Sequence, residues 1–489
     1  MLMERYSAVQ AFDEMVTHDG GVRPQYESLG YRLKTLGVNE LVKRKSRAEK
    51  ALFASGITFT LYGEGSSEDR ILPFDIIPRI IRAEEWQSLE AGLIQRTLAL
   101  NAFLADIYGK QHIIRDKIIA REVVESSPGY LPQCAEVKPA RGIYTNISGT
   151  DLVRGEDGAY MVLEDNLRCP SGVSYVLENR EVMKQIFPEL FANLRIRPVS
   201  NYPFRLRQAL SYLSERSNPT IALLTPGIYN SAYFEHSYLA QQMGISLVEN
   251  KDLIVESDKV YMKTIRGLKQ VDVIYRRTDD TFLDPQVFRK DSLLGVPGIF
   301  KAYRKGNVAI ANAPGTGVAD DKVVYAYVPE MIKYYLGEEA IIGNVPTYLC
   351  FRDDDRRYVV ENLDKMVVKA ANGAGGYGML IGPHASQKER DEFKEKILTD
   401  PRGYIAQPMI ALSTAPTMID RSADGEGRVD AAVLSAVEPR HIDLRPYIVF
   451  GKDCYVLPSG LTRVALKKGS LVVNSSQGGG TKDTWVLDT

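Results

Sequence analysis

Cysteine is scarce and scattered in this chain. Four occur in 489 residues, Cys134, Cys169, Cys350 and Cys454, and no two stand in a CxxC pair. That spacing suggests neither a zinc site nor a disulfide scaffold, and leaves reduced thiols as the expectation. Charge of one sign is missing too: 61 Lys and Arg against 62 Asp and Glu give a formal net charge of −1. Without a basic surplus nothing points to a nucleic-acid partner, and without a long charge run nothing points to an interaction tail. No apolar run is long enough to span a bilayer. The first residues, MLMERYSAVQAFDEM, carry early charges and no apolar core, so no signal peptide and no membrane partner are expected. What remains is ordinary in bulk, 44% apolar and 25% charged. That is the composition of a globular protein, here too long for one core and expected to form two or three domains. A cytoplasmic enzyme or binding protein is the expectation.

One stretch organises the rest. The run Lys365-Met366-Val367-Val368-Lys369-Ala370-Ala371-Asn372-Gly373-Ala374-Gly375-Gly376-Tyr377-Gly378-Met379-Leu380-Ile381-Gly382 reads as strand, glycine loop, strand. Glycines allow close backbone approach, so their N–H groups can surround a phosphate, and Lys369 beside them supplies a point charge. The order is wrong for a P-loop, where Lys follows the glycines, and the spacing does not give the dinucleotide fingerprint. A strand–loop–strand over a triphosphate is how ATP-grasp enzymes and protein kinases cover ATP. A glycine-rich β-turn without a ligand is the competing reading.

Taken in order, residues 6–55 read as helical, with the first twenty residues loosely attached. Residues 73–79 are extended because Pro73 and Pro78 forbid a regular helix, and 83–108 is a helix with Trp86, Leu89, Leu93, Leu100 and Leu104 near one face. Residues 142–154 and 159–166 form a hairpin around the turn Gly155-Glu156-Asp157-Gly158. Strand alternation puts Glu164 and Asn166 on one face, with Asp151 able to sit opposite them and Asp165 pointing away. Two carboxylates and an amide oxygen on one face suit a hard cation such as Mg²⁺, and a polar hairpin end that caps its own turn is the alternative. Residues 220–227, 235–243 and 245–248 read as a βαβ unit in a small parallel sheet. At its strand ends Arg276, Arg277, Asp279 and Asp280 are substrate contacts or surface salt bridges. Residues 316–336 begin with a glycine turn and continue as a helix that carries Asp320-Asp321-Lys322 at its start. A lysine there opposes the helix dipole, which a phosphate or the two aspartates would explain. Residues 358–362 and 366–370 lead into the glycine loop, and 386–398 is a charged helix. Residues 404–410 form a strand that can edge an adenine pocket through Gln407, Met409 and Ile410, and 413–427 is a loop. Arg445 and Arg463 lie on two late strands, and Asn474 precedes Gly478-Gly479-Gly480.

Jointly these parts resemble a circularly permuted ATP-grasp, in the bacterial family related to the synthetase domain of glutathionylspermidine synthase. The motifs that carry the resemblance are Glu164-Asp165-Asn166-Leu167-Arg168-Cys169-Pro170-Ser171-Gly172, Leu224-Thr225-Pro226-Gly227, Asp320-Asp321-Lys322, Gly375-Gly376-Tyr377-Gly378 and Asn474-Ser475-Ser476-Gln477-Gly478-Gly479-Gly480. Asp443-Leu444-Arg445 and Arg463 resemble the middle of the usual ATP-grasp order, and its Asp…Glu-x-Asn end is found earlier in the chain, at Asp151, Glu164 and Asn166. No amidase domain accompanies them, so recognition of glutathione or spermidine is not implied.

The resemblance implies an α/β (α+β) fold: two mixed sheets sandwiching ATP, a small parallel-sheet domain and an N-terminal helical region. The expected divisions are 1–130 (helical region), 131–200 (permuted part of the metal-binding lobe), 201–315 (α/β domain) and 316–489 (nucleotide lobe and the rest of the metal-binding lobe). It implies ATP and Mg²⁺ as cofactors, with a small-molecule or peptide carboxylate and an amine acceptor as partners in an ADP-forming ligation. Lys322 and Lys369 would hold phosphates, and Gly373, Gly375, Gly376, Tyr377 and Gly378 would cover them. Gln407, Met409 and Ile410 would flank adenine. Asp151, Glu164 and Asn166 would bind Mg²⁺, Arg445 and Arg463 would neutralise the transferring group, and Asn474 would join the metal or phosphate shell. A phosphotransferase, a nucleotide-binding scaffold without turnover and, last, a dehydrogenase using the βαβ unit are the alternatives. Oligomeric state is not legible.

Overall fold

The computed structural model describes residues 6, 11–56, 58–63, 66–373, 378–420, 435–473 and 478–489. Its centre is a six-stranded sheet drawn from both halves of the chain. The order is Phe74–Ile81, Gly480–Val486, Cys454–Val464, Arg445–Phe450, Ile147–Arg154, Tyr160–Asn166. The first pair is parallel and the rest are antiparallel. Period-2 alternation sends neighbouring side chains into two cores. Ile448, Val456 and Val486 pack with Trp86, Leu89 and Leu93 of the helix Ala83–Ile107. Tyr447, Val449, Leu457 and Trp485 join the core that holds Val176 and Met183 of the helix Val173–Ile186.

Because both faces are covered, the charges inside these strands are paired internally. Lys482 pairs with Asp75 and donates to the carbonyl of Pro416 at 2.7 Å. Arg79 and Arg154 share Glu14 at 2.5 and 2.7 Å. Arg180 meets Asp483 at 2.8 Å, and Arg96 grips Asp165 at 2.6 Å, which confirms that Asp165 points away from Glu164. Pro78 is tolerated because its strand is at the sheet margin, beside a register shift between Lys482 and Thr484.

Glu14 corrects one expectation. The N-terminal helix is Glu27–Ala54, introduced by Pro24, and the segment before it is not loose where described: Asp13, Glu14, Met15 and Val16 are buried. Other differences have local causes. Residues 316–336 are not one helix. A 3-10 turn Thr316–Asp320 ends in extended backbone at Asp321, Lys322–Tyr325 follows, and Pro329 opens Val328–Leu336. Residues 358–361 belong to the helix Asp353–Glu361, whose three leading aspartates complement its dipole. Thr414–Asp420 is a strand paired with Ser435–His441 where a loop was expected.

The parallel sheet is present, in the order Ala309–Ala311, Val273–Arg276, Ile221–Leu224, Ser246–Val248, with Tyr233–Met243 crossing over between the last two. Arg276 and Arg277 are buried there, so neither is a surface salt bridge. Arg276 pairs with Asp280 at 2.9 Å and donates to the carbonyl of Asn312 at 2.7 Å. Asn312 bolts this sheet to the hairpin. Its Oδ1 accepts from Asn146 and Ile147 N–H at 2.7 and 2.9 Å, and its Nδ2 donates to the carbonyls of Ile147 and Leu167, both at 2.6 Å. A further four-stranded sheet, Tyr348–Leu349, Tyr404–Pro408, Met366–Ala370, Leu380–Ile381, is antiparallel throughout. Of the two sheets expected to be mixed, only the six-stranded one is.

Candidate active site

The six-stranded and four-stranded sheets share one cleft, made of two chambers. The apolar chamber, about 140 Å³, lies between Val153 and Leu163 of the hairpin and Val367 and Ile381 of the other sheet, with Met409 just beyond its strand Tyr404–Pro408. The polar chamber, about 570 Å³, lies between the hairpin end, the loop 168–172 and the turn 317–321. Glu164, Lys322, Gly373 and Arg463 line both, so the junction is charged.

Register explains the hairpin's contribution. Asp151 pairs directly with Glu164 across the strands, and Asn166 with Gly149, so the three side chains share a face. Gly149 lies under its neighbour: a Cβ there would touch Cδ of Arg445 at 3.4 Å, where that side chain crosses to reach Asp151. Arg445 grips both oxygens of Asp151, at 2.8 Å for Oδ2, and lies 3.7 Å from Glu164. Arg463 donates to Asp151 Oδ2 at 2.6 Å and, through Nε, to both oxygens of Asp443 at 3.0 Å. Burial opposes the charge on Asp151, but Arg445 and Arg463 override it and hold its carboxyl well below the ordinary range.

The lysines come from two other elements. Asp321 accepts from Val323 N–H at 2.8 Å and pairs with Arg402 at 2.7 Å, which fixes the start of Lys322–Tyr325. Lys322 then donates to the carbonyl of Gly373 at 2.6 Å and lies 3.3 Å from Glu164. Of the two explanations for Lys322, the aspartates are therefore not its partners. Lys369 Nζ donates to Gln407 Oε1 at 2.8 Å, and Gln407 Nε2 donates to Thr347 Oγ1 at 3.0 Å. Burial pushes the Lys369 ammonium down to about 8; Glu164 opposes the shift and Lys322 adds to it.

Lys369, Gln407, Met409, Ile410 and Gly373 thus line the apolar chamber, while Asn166 and Arg445 line the polar one. Gly378 has a positive φ of 68°, a conformation that favours glycine. Gly375, Gly376, Tyr377 and Asn474 lie outside the described residues; Leu471, Val472 and Val473, just before Asn474, line the apolar chamber. Sequence reasoning missed three supports. Asp443 and Thr347 orient Arg463 and Gln407. Glu235, fully buried, accepts from the N–H groups of Gly172 and Ser174 at 2.7 and 3.0 Å and pins the chamber loop. Only Asp443 carried a signal, its place in Asp443-Leu444-Arg445.

A metal is implied by the resemblance, and the donor set fits a hard cation. Among the described residues Glu164 has no contact with a cation closer than 3.3 Å, so its carboxylate oxygens keep lone pairs for a metal. Asp151 shares its oxygens with two guanidiniums.

A family model described as circularly permuted ATP-grasp type 2 matches residues 78–465. An uncharacterized protein of Synechocystis sp. is 54% identical over 490 aligned residues, covering 100% of this chain and 99% of its own. A Frankia alni protein provisionally named a glutamate–cysteine ligase is 42% identical, covering 99% of this chain but 55% of its own, so the chain spans about half its length. Among solved structures, a glutathione synthetase-like effector from Globodera pallida in its apo form has a TM-score of 0.59 at 10% identity, covering 91% of this chain and 97% of that one. At that identity the likeness is one of fold.

Proposed function

From the premise that the chain belongs to the circularly permuted ATP-grasp type 2 family, we propose that it is an ATP- and Mg²⁺-dependent carboxylate–amine ligase. It acts through an acyl phosphate on a small-molecule or peptide carboxylate and an amine. The observation that carries this reading is the charged junction, where a narrow apolar slot opens into a larger polar chamber. The slot suits a flat base: the backbone from Gln407 onward would read its edge, while Met409 or Ile410 packs on the ring. Lys369 and Lys322 then meet the phosphates, with Gly373 beside them. Gly375, Gly376, Tyr377 and Asn474 are proposed for the same shell on the resemblance alone. Asp151, Glu164 and Asn166 would hold Mg²⁺, which neutralises phosphate charge when bound.

In the first step a carboxylate oxygen attacks the γ-phosphorus, and the β–γ bridging bond breaks to release ADP. In the second the amine lone pair attacks the acyl carbon. The bond to phosphate breaks, phosphate leaves with the electron pair, and the amine loses a proton. Little covalent chemistry falls to the protein in either step; positioning and charge neutralisation dominate. Arg463 stands at the junction and Arg445 beside it, both preset by carboxylates, so they need no reorganisation as charge moves. The Frankia name is compatible with amino-acid substrates, but it describes a protein almost twice as long.

The test measures ADP and phosphate release from Mg²⁺-ATP with carboxylates and amines offered singly and in pairs. Release that needs both supports ligation. A stable phosphorylated product without an amine makes the protein a phosphotransferase. Nucleotide binding with no release from any pair makes it a scaffold.

A further inference from the structure

Resting on the ligase reading, we propose that Arg168 is a specificity-determining residue of the polar chamber. It would anchor a substrate carboxylate other than the one activated. Three observations lead there.

The first is how the side chain is laid. Arg168 follows the hairpin, and its stem crosses Gly317, where a Cβ would stand 3.3 Å from Arg168 Cδ. Gly317 rests on Gly129, where a Cβ would come within 2.3 Å of the Gly317 carbonyl. Both glycines and Arg168 line the chamber. The wall is therefore bare backbone, and the long cation is seated on it.

The second is its incomplete pairing. Arg168 Nη1 lies 2.7 Å from Asp279 and Nε 3.5 Å from Asp320, while Nη2 donates no hydrogen bond to a described residue. Its side chain keeps 38% of its exposure. Asp320 is itself engaged, taking the Leu167 N–H at 2.6 Å.

The third is that neighbouring guanidiniums are committed. Arg445 and Arg463 hold Asp151, and Arg277 is buried against Glu235 at 3.1 Å and the carbonyl of Pro170 at 2.6 Å. An arginine fork with a free edge is suited to a carboxylate. The chamber's roughly 570 Å³ gives room for an amino acid or short peptide around it.

The anchored carboxylate could sit on the donor, as a second acid, or on the acceptor, and paired probes separate these sources. Aspartate and glutamate against asparagine and glutamine report the donor side. A pool of glycyl dipeptides against their C-terminal amides reports the acceptor side. Binding to the full chain with Mg²⁺-ADP is read by saturation-transfer NMR, which needs no turnover. The native chain should prefer acids about tenfold or more, the scale of one charge-assisted pair. Arg168→Met should abolish the preference. Arg168→Lys should keep part of it, and Gly317→Ala, which displaces the stem, should weaken it. Equal binding of acid and amide, binding of neither, or a preference that survives Arg168→Met overturns the anchor. ADP release on the same pools separates the two readings. Acid-selective binding without release from any carboxylate–amine pair removes the ligase and leaves the anchor. Release from such pairs with no acid preference removes the anchor and leaves the ligase.

Discussion

Nucleotide affinity should fall as pH rises from 7 to 9, and Lys369 should be the cause. In the free protein its ammonium titrates near 8 because it is buried beside Lys322. It is therefore about nine-tenths charged at pH 7 and about one-tenth at pH 9. A phosphate beside it favours the charged form and lifts the pKa well above that range. The sign follows: binding takes up a proton above pH 8, so affinity is fully present below that value and is lost above it. If only the charged form binds well, the loss from pH 7 to 9 is about tenfold, or about 1.4 kcal/mol. Titration calorimetry with Mg²⁺-ADP, in two buffers of different ionisation enthalpy, reads both the affinity and the proton uptake. Lys369→Met should cost roughly 1–3 kcal/mol at pH 7, the range for a charge-assisted hydrogen bond, and should flatten the pH dependence. The same slope in the variant, or no proton uptake by the native chain at pH 9, would refute the placement of phosphate at Lys369.

Gln407→Leu should raise the ATP KM by several-fold, because it removes the acceptor that aims Lys369; an unchanged KM in steady-state assays contradicts that role. Glu164→Gln keeps the shape but removes a charge from a hard-donor set, and should lower ATP turnover about tenfold or more at limiting Mg²⁺. Near-native rates at limiting metal reject it as a ligand. Glu14→Gln leaves Arg79 without its buried carboxylate and should destabilise the fold by about 3–5 kcal/mol, the scale for breaking a buried pair. An unshifted melting temperature would show that the N-terminal segment is dispensable.

Much of the hairpin was legible because its signals are local. Alternation, the Gly155–Gly158 turn and two-residue spacing place Asp151 opposite Glu164 without knowledge of the rest. The βαβ unit and the helix Ala83–Ile107 were legible for the same reason. Charges inside strands were not. Arg276 and Arg277 read as substrate contacts or surface salt bridges, and nothing local marked Arg79 or Glu14 as buried, since their partners are fixed only by the fold. The break between Asp320 and Lys322 was missed because the apolar residues on either side run on without a proline, and only the extended backbone at Asp321 reveals it. That Lys322 and Glu164 meet could be inferred only from resemblance, because no periodicity links residues 158 positions apart in sequence and 3.3 Å apart in space.

The mixed parentage of the six-stranded sheet also sets a timetable. Asp151 is synthesised long before Arg445 and Arg463, the guanidiniums that neutralise it. At about 5–20 residues per second, the hairpin 147–166 waits roughly 15–60 s on the ribosome for its neighbouring strand Arg445–Phe450. During that interval it is an unfinished edge with an unpaired acid. The four-stranded sheet, complete once Tyr404–Pro408 emerges, can close earlier and by itself. The nascent chain should therefore assemble its four-stranded sheet first. Its window of aggregation should be governed by translation speed between these strands rather than by the stability of the finished molecule.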